Sequence, residues 1–177
     1  MGGKDEQKKK MKLLCLHGFR TSGSFLQKQL SKWDPSIFHH FDLDFPNGKY
    51  PAGGKSEIEG IFPPPYFEWF QFDKGATLAA LLLGYQKQGV VLKEHPPMKL
   101  YVSISGSKFR DPKICEVAYK DPISVKSAHF IGAKDWLKVP SEDLATAFDN
   151  PLIINHLQGH TVPRLGKVAL LRLAFDS

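Results

Sequence analysis

Short apolar runs that each stop at a glycine-containing turn are the feature that most restricts the fold of this chain. Runs of this length followed by glycine are typical of buried strands in a parallel sheet. They predict strands at residues 12–16, 38–45, 99–105, 124–131 and 152–157. The stretches between and after them predict helices at residues 21–30, 75–88, 141–148 and 165–175. This alternation predicts an α/β fold, a mostly parallel sheet flanked by helices on both faces.

Two of the predicted helices have recognisable starts. Thr21 or Ser22 can cap the first, because their hydroxyl groups can accept from the free N–H groups of the first turn. Ser141 begins a partial capping box for residues 141–148, and the acidic Glu142 and Asp143 suit a helix N-terminus.

The stretch between the second and third predicted strands is unusual. Residues 46–65 are rich in glycine and proline, which predicts a long loop of the kind that often faces a substrate. The aromatic segment that follows, Tyr66 to Phe72, either lines a pocket or covers the core, and its density of large rings favours the core.

Composition limits the number of domains and the class of partner. A chain of 177 residues with 42% hydrophobic and 24% charged residues suits a single globular domain, here 11–177, preceded by a polar tail at 1–10. The formal net charge is +6, but the lysines outside the tail are scattered and no nucleic-acid motif accompanies them. We therefore expect no nucleic-acid partner.

Other function classes are also disfavoured. The two cysteines are too few for a disulfide framework, and the histidines and cysteines lack metal-ligand spacing, so we expect neither a metal nor an organic cofactor. No run approaches the length of a membrane span, and the first ten residues resemble neither a signal nor a transit peptide. These observations predict a cytoplasmic protein, with the nucleus as a further location.

Two residues at the ends of predicted strands are candidates for catalysis. Asp135 follows the fourth predicted strand and His160 follows the last, which is the chain order of acid and base in an α/β-hydrolase triad. The carboxylate would orient the imidazole, and the imidazole would take the proton of a nucleophile. The turn His17-Gly18-Phe19 after the first strand could offer backbone N–H groups to an oxyanion. Each residue alone has a structural alternative, such as a turn-forming Asp or a packed His.

Four segments together resemble the FSH family of serine hydrolases: LLCLHGFRTSG, EGIFPPPYFEWFQF, HFIGAKDWLK and GHTVPRL. The resemblance extends over roughly residues 11–175. It implies an α/β-hydrolase fold and a Ser-Asp-His triad that cleaves small-molecule esters or thioesters. It also implies that Asp135 is the triad acid, that His160 is the base, and that Gly18 and Phe19 form the oxyanion turn.

The chain departs from this family at the nucleophile. No Gly-x-Ser-x-Gly sequence is present, and Phe72-Asp73-Lys74 runs directly into Gly75, where the family has a helix, the central strand and the nucleophile elbow. Such a unit needs roughly 30–40 residues, since even a bare crossover takes about a dozen. We therefore expect an internal deletion, from a skipped exon, a gene-model error or a true pseudoenzyme, and an inactive chain. The alternative is a non-catalytic module that binds acyl ligands or a partner protein.

The deletion predicts a gap in the sheet, between the strand that ends at His17 and the strand that ends at Ser105. Residues 66–72 could slide into this gap as a surrogate strand, which would bring Asp73 to the nucleophile position. Ser103, Ser105 and Ser107 also lie near the sheet edge, but no helix directly follows them to form an elbow. We favour none of these four residues as a nucleophile.

Overall fold

The computed structural model describes residues 10–70 and 75–164. The predicted helix at 165–175 and most of the polar tail lie outside the described residues. The elements are, in chain order, β1 (Met11–Leu14), α1 (Gly23–Leu30), a 3-10 helix (Pro35–His39), β2 (Phe41–Asp44), β3 (Tyr50–Pro51), β4 (Phe67–Glu68), α2 (Gly75–Lys87), β5 (Leu100–Ile104), α3 (Pro112–Ala118), β6 (Lys126–Gly132), α4 (Lys138–Ala145) and β7 (Leu152–His156).

The main strands are parallel, as predicted. β1 pairs with β2 from Met11 opposite Phe41 to Leu14 opposite Asp44. β5, β6 and β7 form a second parallel sheet in that order. Helices pack against these strands, α2 on β5 and α4 on β6. The molecule is therefore a mixed α/β structure of the α/β-hydrolase type.

The parallel sheet is divided between β1 and β5. Within the described residues no strand pairing joins these two strands, and a cavity of about 1250 Å³ is lined by residues of both. This is where the sequence predicts a gap. The surrogate-strand hypothesis is wrong for the described part of that segment, because Phe67–Glu68 pairs antiparallel with Tyr50–Pro51 instead. That small pair belongs to the long loop and not to the main sheet.

Helix starts follow local hydrogen bonding. Ser22 caps α1 as predicted, since its Oγ accepts from the Phe25 N–H at 3.2 Å. The prediction that Ser141 caps a helix is wrong. The Asp135 turn starts α4 three residues earlier, where the Lys138 N–H donates to the Asp135 carbonyl at 3.0 Å. Ser141 lies buried inside the helix and its Oγ donates to the Gly106 carbonyl at 2.7 Å.

Two short helices were not predicted. Asp34 precedes Pro35 and Asp111 precedes Pro112, and each aspartate accepts from the backbone N–H two residues later. A capping aspartate followed by proline is a helix start that the sequence shows. The 3-10 helix also shortens the predicted second strand, which begins at Phe41 instead of residue 38.

One core cluster connects the two parts of the sheet. Cys15 and Phe41 pack with Ala128 and Phe130 in the same buried group, which includes Trp33. The Trp33 indole N–H donates to the carbonyl of Pro163 at 2.9 Å, across 130 residues of sequence. These contacts hold β1 and β2 against β6 in the absence of direct pairing.

Candidate active site

The N-terminus of α2 brings the ends of β1 and β5 together. The Gly75 N–H donates to the carbonyl of His17, just after β1, at 3.2 Å. A Cβ at Gly106, just after β5, would lie 3.2 Å from the Ala76 Cβ. In parallel sheets the carboxyl ends of the strands carry the chemistry, so the polar residues at these ends form the candidate site.

Asp135 and His160 meet at this edge. His160 Nδ1 donates to the Asp135 carboxylate, at 3.1 Å from Oδ1 and 3.2 Å from Oδ2. β6 leads into the turn that carries Asp135, and β7 leads into the turn that carries His160. The Asp135 side chain is 1% exposed and that of His160 is 32% exposed, so the imidazole faces solvent while the carboxylate lies behind it.

The environment of Asp135 favours its charged form. Burial alone raises the pKa of this carboxyl, but donation from the Ser105 hydroxyl, donation from the Leu137 N–H and the attraction of His160 together hold the pKa below its ordinary value. The Leu137 N–H lies 2.8 Å from Oδ1. A carboxylate that stays charged can hold the imidazole in one tautomer and stabilise its protonated form.

Ser105 is a hydrogen-bond partner of the Asp135 carboxylate. It follows β5 with a φ of +55°, a left-handed conformation that is uncommon for serine, and its hydroxyl donates to Asp135 Oδ2. Its single hydroxyl proton is therefore directed at the carboxylate. The sequence indicated that Ser105 lies at the sheet edge but gave no signal for this contact, which joins residues 30 positions apart.

The turn after β1 is fixed by His17. The Gly48 N–H donates to His17 Nε2 at 2.8 Å, so Nδ1 carries the proton and donates to the Gly18 carbonyl at 2.8 Å. Burial lowers the pKa of His17, only partly offset by the Gly18 hydrogen bond, and this keeps the ring neutral. Gly18 and Phe19 line the same cavity as His160. His17 is thus a structural residue that supports the turn.

Trp136 adds an aromatic wall that the sequence did not reveal. Its ring centre lies 5.3 Å from that of His160, and the residue is 62% exposed. Since Trp136 and His160 both line the cavity, the indole lies beside the imidazole in the cavity wall. Trp136 directly follows Asp135, so the turn after β6 provides both the carboxylate and the indole beside His160.

The other candidate nucleophiles do not join this arrangement. Ser103 is buried, and Ser107 Oγ lies 3.2 Å from Thr77 Oγ1. Burial, with a contribution from Asp44, raises the pKa of Cys15 to about 12, and burial also raises the pKa of Cys115, so both thiols stay protonated at neutral pH. Asp73 lies outside the described residues. Among residues 10–70 and 75–164 no cluster of metal-ligating side chains is present.

Comparison with protein families matches the serine hydrolase (FSH1) family in two parts, residues 6–74 and 71–169. The chain belongs to this family. The two matched parts meet at residues 71–74, between the aromatic segment and α2. The α/β fold described above agrees with the assignment.

Named relatives are similar at modest identity. A dihydrofolate reductase of Schizosaccharomyces pombe is 24% identical over 208 positions, covering 88% of this chain and 44% of that protein. Esterase OVCA2 of Xenopus tropicalis is 32% identical over 95 positions, covering 52% of this chain and 39% of that protein. An esterase of Anopheles gambiae is 21% identical over 197 positions, covering 87% of this chain and 72% of that protein. The chain therefore spans less than half the length of the first two relatives.

The matched family is one of serine hydrolases, and the relatives of Xenopus tropicalis and Anopheles gambiae are both named esterases. In the described part of the chain, no helix combines the length and apolar character needed to cross a membrane.

Proposed function

We propose that this chain retains the acid and base of an ester- or thioester-cleaving triad, Asp135 and His160, without a serine nucleophile, and that it is inactive as a hydrolase. The observation that carries the proposal is the Asp135–His160 hydrogen bond, with His160 in the wall of the cavity. In this arrangement His160 would accept a proton from a nucleophile and return it to the leaving group, while Asp135 orients the ring. Gly18 and Phe19 would offer the oxyanion N–H groups.

Three observations support a missing nucleophile. The sequence contains no Gly-x-Ser-x-Gly elbow. The Ser105 hydroxyl, close to the pair, donates to the acid. Alignments with relatives extend over 208 and 203 positions although this chain has only 177 residues, so they include positions that the chain lacks. An internal deletion before Gly75 accounts for the absent elbow and for the extra aligned positions.

A fluorophosphonate probe, which labels activated serines, tests the proposal on the purified protein. We expect no labelling of the 177-residue chain. A restored variant, with a strand and a Gly-x-Ser-x-Gly elbow inserted before Gly75, should label, and changing the inserted serine to alanine or His160→Ala should abolish that labelling. Labelling of the natural chain that disappears in His160→Ala would show that another serine serves as nucleophile.

A second candidate function is binding without catalysis. The cavity of about 1250 Å³ exceeds the ~300–1,000 Å³ typical of small-molecule sites and has many leucine, isoleucine and valine side chains in its wall. An acyl ligand or a partner protein could occupy it. Native mass spectrometry of the protein purified from cells would detect a retained lipid, and its absence would leave a partner protein as the occupant to test.

A further inference from the structure

The loop that follows β2 passes the start of α1 at an asparagine-glycine pair, Asn47-Gly48. The chain has three asparagines, and Asn47 is the one that precedes a glycine. Asn47 is exposed, whereas Gly48 is buried. Asparagine before glycine is chemically labile, because the glycine has no side chain to keep its backbone nitrogen away from the asparagine side-chain carbonyl. The groups that surround this pair therefore determine how it reacts.

Close packing holds the pair in place. A Cβ at Gly48 would lie 2.5 Å from the carbonyl oxygen of Glu68, and a Cβ at Gly23 would overlap the carbonyl oxygen of Phe45. The Asn47 side chain is held as well, since its Oδ1 accepts from the Gly23 N–H at 2.9 Å. The reacting groups of the pair are thus fixed relative to their neighbours.

The backbone nitrogen of Gly48 is bound to a base. Its N–H donates to His17 Nε2 at 2.8 Å, and because a backbone amide nitrogen can only donate, Nε2 carries the lone pair of the ring. Burial lowers the pKa of His17, partly offset by the Gly18 carbonyl, and no charged side chain of the described residues contributes to this shift. The Trp69 ring and the Thr21 hydroxyl, which also contact the imidazole, are uncharged. The imidazole beside Gly48 can therefore accept a proton at neutral pH.

The side-chain carbonyl of Asn47 is bound to a donor. Its hydrogen bond from the Gly23 N–H would strengthen as negative charge develops on Oδ1. Gly23 is the first residue of α1, and the N–H groups at the start of a helix carry partial positive charge. The Asn47-Gly48 pair thus has a base at the attacking nitrogen and a donor at the carbonyl oxygen, as general-base catalysis requires.

We propose that Asn47 is a site of self-catalysed deamidation, with His17 as the general base. His17 Nε2 removes the proton from the Gly48 nitrogen while this nitrogen forms a bond to Asn47 Cγ. The bond between Cγ and Nδ2 then breaks, His17 returns its proton to the leaving nitrogen, and ammonia departs. The result is a succinimide ring. Water from the solvent opens this ring at either carbonyl, which gives aspartate or isoaspartate at position 47.

The two products affect the neighbouring turn differently. Aspartate places a carboxylate on the Gly23 N–H at the start of α1, where a negative charge is favourable. Isoaspartate adds one atom to the backbone before Gly48, which displaces the Gly48 N–H from His17. Because His17 supports the turn that contains Gly18 and Phe19, the isoaspartate form should have a looser turn than the unmodified chain.

Peptide mapping by mass spectrometry of the purified, folded protein tests the proposal. After several days at neutral pH, the peptide that contains Asn47 is examined for a gain of about one dalton and for isoaspartate, detected with an isoaspartyl methyltransferase. The control is a synthetic peptide of residues 45–50, which has the same asparagine-glycine pair without His17 or α1. We expect Asn47 to react at least tenfold faster in the folded protein. Asn150, which precedes a proline, and Asn155, within β7, should stay intact.

The pH dependence distinguishes His17 from hydroxide as the base. The pKa of His17 lies below its ordinary value near 6.5, so above about pH 7 the ring is neutral and the rate should change little up to about pH 8. At lower pH the rate should fall as the ring becomes protonated. The synthetic peptide depends on hydroxide and should therefore react about tenfold faster at pH 8 than at pH 7.

Variants locate the base. His17→Gln keeps an oxygen that can accept from the Gly48 N–H but cannot take up its proton, so it should slow deamidation of Asn47 at least tenfold. His39→Gln, the same substitution at an exposed histidine, is the matched control and should react as the natural chain does. Asp135 and His160 take no part in this reaction, so its outcome is independent of the proposed hydrolase triad.

Two results would overturn the proposal. Deamidation in the folded protein that is no faster than in the synthetic peptide would show that His17 and the Gly23 N–H give no assistance. A rate in the folded protein that rises about tenfold between pH 7 and pH 8 would identify hydroxide as the base. Should His17→Gln lose its circular dichroism signal, the pH profile of the natural chain decides in its place.

Discussion

Ser105 combines a strained backbone with a buried hydrogen bond. Ser105→Ala removes the bond to Asp135 and keeps the φ of +55°, so the free energy of unfolding should fall by roughly 1.5–3 kcal/mol. Ser105→Gly removes the same bond but adopts this φ freely, so it should lose about 1 kcal/mol less than the alanine variant. Urea denaturation measures both values, and an alanine variant as stable as the natural chain would contradict the expected role of the bond.

His129 is a buried base that resists protonation. It lies between Tyr101 and Phe148, its Nδ1 has no hydrogen-bond partner among the described residues, and burial lowers its pKa to about 4. The unfolded chain takes up a proton at this residue below about pH 6.5, whereas the folded protein does so only near pH 4. Its contribution to stability is thus complete above about pH 6.5 and is lost as the pH falls toward 4.

His129→Leu tests this effect by removing the titrating group. Between about pH 7 and pH 4 the natural chain should lose on the order of 3 kcal/mol more unfolding free energy than the variant. Denaturation at several pH values gives both curves. All other residues are the same in both proteins, so equal slopes would show that His129 is not held neutral by burial.

At the scale of elements, α2 and α3 touch through a glycine. A Cβ at Gly84 would overlap the carbonyl oxygen of Ala118, at the end of α3. Gly→Ala inside a helix ordinarily stabilises by about 1 kcal/mol, but here we expect Gly84→Ala to destabilise by roughly 1–3 kcal/mol because backbone must move. Gly53→Ala, outside the helices, is a control for an uncrowded glycine, since nothing lies within 4 Å of a Cβ there. Thermal denaturation compares them, and a stabilised Gly84→Ala would disprove the close contact.

The elements differ in how far the sequence determines them. Strong helix formers predict α2 to within a residue, and apolar runs predict β5, β6 and β7 closely, because local pattern decides these elements. The sequence did not predict the start of α4. Asp135, a candidate site residue, also accepts at its carbonyl the Lys138 N–H that begins this helix. The order of strands placed Asp135 and His160 at one edge, but the Ser105–Asp135 contact and the Trp136 wall depend on tertiary packing, which no local pattern encodes.

At the scale of the whole molecule, the β1–β2 pair and the three-stranded β5–β6–β7 sheet are connected through the core cluster around Trp33. This cluster contains residues from β2 and β6, so it couples the two sheets by packing, together with the Trp33–Pro163 hydrogen bond. An apolar strand between β1 and β5 would add pairing on both edges and fill the cavity of about 1250 Å³. A strand inserted there should therefore raise both the stability of the molecule and the cooperativity of its unfolding.

The restored variant, with a strand and elbow inserted before Gly75, tests this at the level of global unfolding. Because it buries additional surface, its urea m-value and its midpoint should both exceed those of the natural chain. A glycine-serine insert of equal length at the same place is the control and should lower the midpoint slightly through loop entropy. If both inserts unfold alike, the space between β1 and β5 does not accept a strand, and the division of the sheet has another origin.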